Sequence, residues 1–250
     1  TPPALSPTTS GFSPASVAVG GNVVMSCDFG STFDSIAPSF TGGNCAWDNF
    51  YGTVAKYNCT ATQTGTHTVY CGTFNLPPPG SNYCVTQTAL AGTLNVVPDL
   101  TEGGTVFATG TPCNSSTEGP SKAFDNSSST KWCNTPAPTT FVPASIMYDF
   151  AGITAYTVTR YTITTGNDVP GRDPKDWKFQ GCQGTCTVGS GTGWVTLDTR
   201  TNQFSGANRY QTNTYSFANS TSYQQYRLRI TANNGDPTYI QMSEIQLFEQ

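Results

Sequence analysis

Apolar and polar residues alternate along several short segments of the first hundred residues. The alternation runs through SVAVGGNVVMSCDF at positions 16–29, around a Gly-Gly pair, and returns in GTHTVYC at 65–71 and ALAGTLNVV at 89–97. A period of two is typical of strands that bury one face. β-branched and aromatic residues are common, whereas the Glu, Lys and Leu residues that favour helices are scarce. The pattern predicts an all-β chain.

A change of pattern near residues 95–104 indicates a domain boundary. There the strand-like AGTLNVV runs into PDLTEGG, whose proline, glycine and acidic residues are typical of a linker. We therefore predict a Pro-rich extended arm over 1–14, a β-sandwich over 15–98 and a second β domain over 99–250.

Composition narrows the classes of function. Charged residues make up 10% of the chain, and its net charge is −4 with no basic cluster, which argues against nucleic acid or an anionic membrane surface as a partner. No apolar run approaches the roughly 20 residues that span a bilayer, and we interpret Thr1 as the start of a mature or shortened chain. Nine cysteines beside a single histidine favour disulfides over zinc, so we expect an extracellular or cell-surface protein.

Four Asn-X-Ser/Thr sequences agree with a secretory route. They predict N-glycosylation, although such sequences also arise by chance in a Ser/Thr-rich chain and mean nothing in a bacterial one. The acceptor residues are Asn58, Asn114, Asn126 and Asn219.

The stretch FSPASVAVGGNVVMSC at 12–27 resembles the first two strands of an immunoglobulin-like domain, and the likeness extends over about residues 12–97. It implies a disulfide between the sheets from Cys27 to Cys71, with Trp47 as the core tryptophan. Val69 departs from the pattern, because the family places a tyrosine there.

The five cysteines of the first domain cannot all pair internally. If Cys27–Cys71 and Cys45–Cys59 form, Cys84 is left over, although other arrangements stay open. A spare cysteine in a secreted chain is a buried thiol, a bridge between domains or a bond to another chain.

A second resemblance covers about residues 103–249. The segments that carry it occur in order: SKAFDNSSSTKW (121–132), RYTIT (160–164), DVPGRDPKDWKFQG (168–181), GWVTLDTRT (193–201) and YRLRITANNGDPTYIQMSEIQLFE (226–249). They resemble the discoidin or F5/8 type C family, which includes the family 32 carbohydrate-binding modules. The resemblance implies an eight-stranded jelly roll with a binding surface on the loops at one end. Within that domain we predict the disulfides Cys113–Cys133 and Cys182–Cys186.

The resemblance also implies a structural calcium site. Turn-forming residues around one carboxylate can wrap oxygens about a hard cation, and the alternative is an ordinary Asx turn. The implied ligands are the backbone oxygens of three loop residues, the Asp125 carboxylate, the Thr130 hydroxyl and two residues of the last strand. The residues are Lys122, Asp125, Ser127, Thr130, Ser243 and Glu244.

Five aromatic residues could form a platform for a sugar ring, but core packing is the better interpretation because the tryptophans fall at alternating strand positions. They are Trp132, Trp177, Phe179, Trp194 and Phe217. Galactose-binding relatives commonly use a histidine, and the only histidine here is His67 in the first domain, so that site is not carried over.

The most polar loops of the second domain supply candidate ligand contacts. An internal salt-bridged loop is the alternative, because Arg–Asp pairs rigidify turns as readily as they bind sugars. The candidates are Asn167, Asp168, Arg172, Asp173 and Tyr239.

No nucleophile or acid partner accompanies His67, and nothing in the sequence places two carboxylates across a cleft, so we predict no enzymatic activity. Two functions remain. The first is a calcium-stabilised extracellular glycoprotein that binds glycans, cells or matrix. The alternative is a subunit of an extracellular fibre or wall, which would assemble through the N-terminal arm and the first domain.

Overall fold

The computed structural model describes the backbone of residues 9–13, 16–18, 22–28, 35–40, 43–51, 54–74, 85–150, 152 and 154–249. Side-chain surroundings are described for residues 24–27, 43–46, 56–67, 96–150, 152 and 154–249. The regular structure of these residues consists of β-strands and two short 3₁₀ turns, so the chain is all-β as predicted. It divides into two compact units, Thr1–Pro98 and Asp99–Gln250. No helix in the described part of the chain is long and apolar enough to span a membrane.

The first unit contains two four-stranded sheets, with strand orders β1-β3-β6-β5 and β2-β8-β7-β4. Its strands are β1 (Thr9–Ser13), β2 (Ser16–Ala18), β3 (Asn22–Asp28), β4 (Ser35–Phe40), β5 (Gly43–Tyr51), β6 (Val54–Ala61), β7 (Gly65–Phe74) and β8 (Val85–Val97). Among the described residues of this unit, all strand pairs are antiparallel except β2 with β8. The immunoglobulin-like identity of this unit stays a prediction.

Part of the predicted N-terminal arm is a strand of the first unit. Thr9–Ser13 pairs along its length with β3, from Thr9 opposite Asp28 to Ser13 opposite Val24. The backbone groups of β1 therefore bond to the chain's own sheet. Residues 1–8 and Pro14 lie outside the described residues.

The described cysteines of the first unit are bonded. Cys45 and Cys59 lie directly opposite each other on β5 and β6 and form a disulfide with a Cα–Cα distance of 4.0 Å. Cys27 is fully buried and disulfide-bonded. The side chain of Cys71, its predicted partner, and all of Cys84 lie outside the described residues.

The second unit carries the strands β9 (Thr105–Ala108), β10 (Thr111–Pro112), β11 (Trp132–Thr135), β12 (Ala144–Asp149), β13 (Arg160–Thr164), β14 (Pro174–Cys182), β15 (Val195–Arg200), β16 (Thr212–Ser216), β17 (Gln225–Asn233), β18 (Ile240–Met242) and β19 (Glu244–Phe248). The 3₁₀ turns span Pro120–Ala123 and Pro170–Arg172. A five-stranded sheet has the order β15-β14-β17-β12-β9, and two three-stranded sheets have the orders β16-β13-β19 and β10-β11-β18.

The core of the second unit lies between the five-stranded sheet and the shorter sheets. On β17, Tyr226, Leu228 and Ile230 are buried in one hydrophobic cluster with residues of β13 and β19. Alternate residues of a strand point to opposite faces, so Arg227 and Arg229 lie on the other face of this sheet.

The structure confirms core packing for Trp132, Trp177 and Phe179, which are at most 1% exposed, and Phe217 packs against the same cluster. The prediction was wrong for Trp194. It is not in the cluster, since it precedes β15, and its ring lies 4.2 Å from Cζ of Arg227. Its indole nitrogen donates to the Thr187 carbonyl.

The disulfides of the second unit join Cys113 to Cys133 and Cys182 to Cys186, the same pairs that we predict from the sequence. The Cys182–Cys186 bridge closes the start of the connection from β14 to β15. The Cys186 amide donates to the side chain of Gln225. Peptide mapping without reduction should recover both pairs as linked peptides. Free thiols at Cys182 and Cys186 would contradict this arrangement.

Candidate functional site

The predicted calcium ligands lie together around the 122–130 loop. Thr130 Oγ1 donates to Asp125 Oδ1 at 2.7 Å, and its distance to the Ser127 carbonyl oxygen is 3.0 Å. The Ser127 amide donates to Oε2 of Glu244 at 3.1 Å, which ties the loop to the start of β19. Lys122 pairs with Asp125 through its ammonium group at 3.1 Å, a contact that the sequence did not suggest.

Two oxygens at this place are buried and have no hydrogen-bond partner. They are Oε1 of Glu244 and Oγ of Ser243, and both residues are at most 5% exposed. Burial raises the pKa of Glu244 to about 8, and the carboxylates of Asp125 and Asp99 add to the rise. A buried carboxylate without a counter-charge is costly. The donor set is therefore oxygen-rich and acidic, and its buried Glu244 has no counter-charge of its own. These features fit a hard cation.

A separate group, which contains two cysteines, does not offer metal ligands. Cys113 and Cys133 lie with Glu118 at a spacing suited to a metal ion. Their sulfurs form a disulfide, so neither can act as a thiolate ligand.

Four connections of the second unit meet at one end of the sandwich, and we name them together the loop end. They are residues 136–143, 165–173, 201–211 and 234–239. The strand register shows their common location. Pro174 at the start of β14 pairs with Asn233 at the end of β17, and Thr164 at the end of β13 pairs with Thr212 at the start of β16. β12 starts opposite Ile230, close to the same end.

A buried ion pair joins two loops of the loop end. The guanidinium of Arg209 contacts both carboxylate oxygens of Asp173, whose side chain is fully buried. Nη1 of Arg209 also donates to the carbonyls of Asp168 at 2.6 Å and Gly166 at 3.2 Å, and Nη2 donates to the carbonyl of Ala207 at 3.1 Å. Burial raises the pKa of Asp173, and Arg209 opposes that rise. The pair fixes 165–173 against 201–211.

Two amide side chains extend this fixation. Asn234 Nδ2 donates to the carbonyls of Asp173 at 3.2 Å and Gln203 at 3.1 Å, so three loops meet at one side chain. Gln241 Nε2 donates to the Asp168 carbonyl at 2.9 Å. Loops held in this way lose little conformational entropy when a ligand binds.

Two of the remaining polar candidates, Asp168 and Arg172, form partly buried ion pairs. Asp168 accepts from Lys131 at 2.8 Å. Burial acts to raise the pKa of Asp168, but the bonds and charge of Lys131 prevail and lower it. Arg172 bonds to Asp236 at 3.1 Å, and its Cζ lies 4.7 Å from the ring centre of Tyr239.

The five predicted contact residues thus differ in what they offer a ligand. Asn167 is exposed, and Asp168, Arg172 and Tyr239 are half-buried. Asp173 is fully buried and bonded to Arg209, so the salt-bridged alternative describes it and it has no surface to offer.

The exposed apolar side chains of the loop end were not predicted from the sequence. Among the described residues six large hydrophobic side chains are exposed, and four of them lie here. They are Phe141 (94% exposed), Val142 (57%), Val169 (40%) and Tyr210 (49%). The proline-flanked PAPTTFVP at 136–143 was the one available signal, because such a rigid turn cannot bury its own apolar tip.

The backbone of 201–211 is held in an unfavourable conformation. Phe204 and Tyr210 have φ values of 53° and 59°, in the left-handed region that bulky residues avoid. Such backbone strain is concentrated at functional positions. Here it presents Tyr210 at the surface beside Gly166, whose carbonyl lies 3.5 Å from the Tyr210 amide nitrogen.

No protein-family profile and no curated protein matches the sequence. Solved structures similar to the chain include the module CpGH89CBM32-5 of Clostridium perfringens, in complex with GalNAc-β-1,3-galactose. It is 14% identical with a TM-score of 0.45, over 60% of this chain and 97% of that one. The family 32 module of C. perfringens NanJ, in complex with galactose, is 14% identical with a TM-score of 0.46, over 60% and 96% of the two chains. The F5/8 type C domain of a Bacteroides fragilis protein is 14% identical with a TM-score of 0.48, over 59% and 92%.

Proposed function

We propose that the second unit binds a glycan through the loop end, and that the protein works as a non-enzymatic extracellular recognition module. One observation carries the proposal: the exposed apolar side chains of the described residues concentrate on the loop end. Isolated apolar side chains on a surface are ordinary, whereas a group of them beside polar residues is typical of a binding site.

The chemistry of the loop end suits a carbohydrate. Phe141 and Tyr210 offer aromatic faces for the apolar face of a sugar ring. Asn167, Asp168 and Arg172 offer donors and acceptors for its hydroxyl groups. The resemblance of the sequence segments to discoidin domains also supports ligand binding by loops at one end of the sandwich.

Calcium belongs to the proposal as a structural ion. The Asp125 and Glu244 carboxylates, the Ser243 and Thr130 hydroxyls and the loop carbonyls would hold it. It would supply the positive charge that the buried Glu244 lacks. Since Ser243 follows β18 and its amide donates to the Thr164 carbonyl at 2.9 Å, the ion would also stabilise the strand that leads into 165–173.

The alternative of a self-assembling fibre gains nothing from the described strands. The described part of the N-terminal arm, Thr9–Ser13, pairs within its own chain. We therefore propose the recognition module alone.

Binding to a glycan microarray tests the proposal, with the loop-end variants Tyr210→Ala and Phe141→Ala. Each should weaken binding to the recognised glycan by about fivefold, because it removes one stacking face worth about 1 kcal/mol. Neither should change the melting temperature, since both side chains are exposed.

Phe107→Ala is the matched control. Phe107 is 45% exposed but lies on β9, away from the loop end. It should bind as the unchanged protein does. Equal losses in all three variants, or no binding to any glycan, would count against the proposal.

A further inference from the structure

The four predicted glycosylation sequences differ in what their asparagine amides do in the folded protein. N-glycosylation transfers an oligosaccharide from a polyprenyl diphosphate donor to Nδ2 of the asparagine. The bond from sugar C1 to the phosphate oxygen breaks, the bond from C1 to Nδ2 forms, one Nδ2 proton is released and the polyprenyl diphosphate leaves. One N–H remains on the modified amide, so a folded site can keep at most one hydrogen bond donated by Nδ2.

Asn219 uses both of its amide hydrogens inside the fold. Nδ2 donates to the carbonyls of Val158 and Thr221, each at 2.9 Å. Oδ1 accepts from the Thr221 amide at 3.0 Å. A sugar on Nδ2 would have to take the place of one of the two carbonyls. The half-buried amide of Asn219 thus joins the segment that precedes β17 to the segment that precedes β13.

Asn114 has the opposite arrangement. Its side chain is exposed, and its Oδ1 accepts from the amide of Ser116 at 3.0 Å and from the Ser116 hydroxyl at 2.7 Å. Neither of these two bonds involves Nδ2. The neighbouring disulfide Cys113–Cys133 fixes the segment to β11. A glycan on Asn114 therefore costs the fold none of these bonds.

The other two sites lie between these extremes. Asn126 of the 122–130 loop is exposed, but its Nδ2 donates to Glu102, which lies before β9, at 2.6 Å. Asn58 is exposed in the middle of β6. The contrast is sharpest between Asn114 and Asn219.

We infer that Asn114 is an attachment site for an N-linked oligosaccharide and that Asn219 is a structural asparagine that stays unmodified in the folded protein. The inference is independent of glycan recognition by the loop end. A chain that received a sugar on Asn219 during synthesis would lose the bonds to Val158 and Thr221 and would fold poorly.

The test is secretion of the full chain from a eukaryotic host, followed by mass mapping of the peptides before and after enzymatic deglycosylation. Ser116→Ala and Thr221→Ala abolish the two acceptor sequences without changing either asparagine. Ser116→Ala should reduce the mass by one glycan, whereas Thr221→Ala should change it only by the substitution. A glycan on Asn219 in the secreted protein, or an unmodified Asn114, would overturn the inference.

A second measurement tests the structural role without any glycan. In protein from a host that lacks the transfer enzyme, Asn219→Asp removes both donated bonds, and Asn114→Asp keeps the acceptor oxygens that Ser116 uses. We expect the melting temperature of the second unit to fall by about 4 °C or more for Asn219→Asp and by less than about 1 °C for Asn114→Asp. Equal melting temperatures for the two variants would remove the structural role of Asn219.

Discussion

Replacing Arg209 with alanine should lower the free energy of unfolding of the second unit by about 3–5 kcal/mol, because the substitution leaves a buried carboxylate without its counter-charge. Asp173 is fully buried, and Arg209 contacts both of its oxygens as well as three backbone carbonyls. For a unit of this size the loss corresponds to a fall of roughly 10 °C in melting temperature. Calorimetry of the full chain measures it.

Lys131→Met is the comparison for this prediction. It also breaks ion pairs, but the side chains of its partners Asp168 and Glu118 are 45% and 25% exposed and stay hydrated. The expected cost is below about 1 kcal/mol. The double variant Arg209→Met/Asp173→Leu should be more stable than Arg209→Ala, because it removes both charges. If Arg209→Ala melts within a degree of the unchanged protein, the ion pair does not hold the loop end.

The second large expected effect is the stabilisation of the second unit by calcium, which depends on Glu244. Calcium that binds only the folded state should stabilise the second unit by about 2.7 kcal/mol at a hundredfold excess over Kd, and EDTA should reverse this gain. Glu244→Gln should lose the response to calcium. In EDTA at pH 8 the same variant should melt at or above the unchanged protein, since a neutral amide avoids burying a charge.

The pH dependence of the metal-free protein has a definite sign. The pKa of Glu244 rises on folding to about 8 from its ordinary value. The folded state therefore binds more protons than the unfolded state between that ordinary value and about 8, and the contribution of Glu244 to stability falls as pH rises through this window. Calcium should abolish this contribution, because it favours the ionised carboxylate.

Glu102→Gln is the matched control, because Glu102 accepts a bond from Asn126 of the same loop but is not a proposed ligand. It should keep the calcium response, and Asp125→Ala should lose it. An unchanged melting curve with calcium, EDTA and all three variants would refute the cation site.

The strands of the second unit were predictable because their pattern is local. Alternation of apolar residues along β17 identifies Tyr226, Leu228 and Ile230 as core residues, and the structure buries all three. The aromatic positions Trp132 and Trp177 follow the same rule. The alternation rule failed for Trp194, because this residue lies just outside β15 and its ring packs on Arg227 rather than on the core.

The loop end was less predictable, because its conformation depends on contacts between distant segments. Arg209 and Asp173 are 36 residues apart, and no spacing rule relates them. The exposure of Tyr210 depends on a strained backbone that only the assembled loops impose. The 122–130 loop was predictable from its resemblance to a family, whereas the unpartnered oxygens of Ser243 and Glu244 appear only in the folded structure.

Amide chemical-shift mapping of the isotope-labelled protein, titrated with a glycan recognised on the microarray, tests glycan binding by the loop end most directly. We expect shifts concentrated in 136–143, 165–173, 201–211 and 234–239, and we expect them to disappear in Tyr210→Ala. Shifts confined to the outer face of the five-stranded sheet, around Lys178 and Arg229, or to the first unit would contradict it.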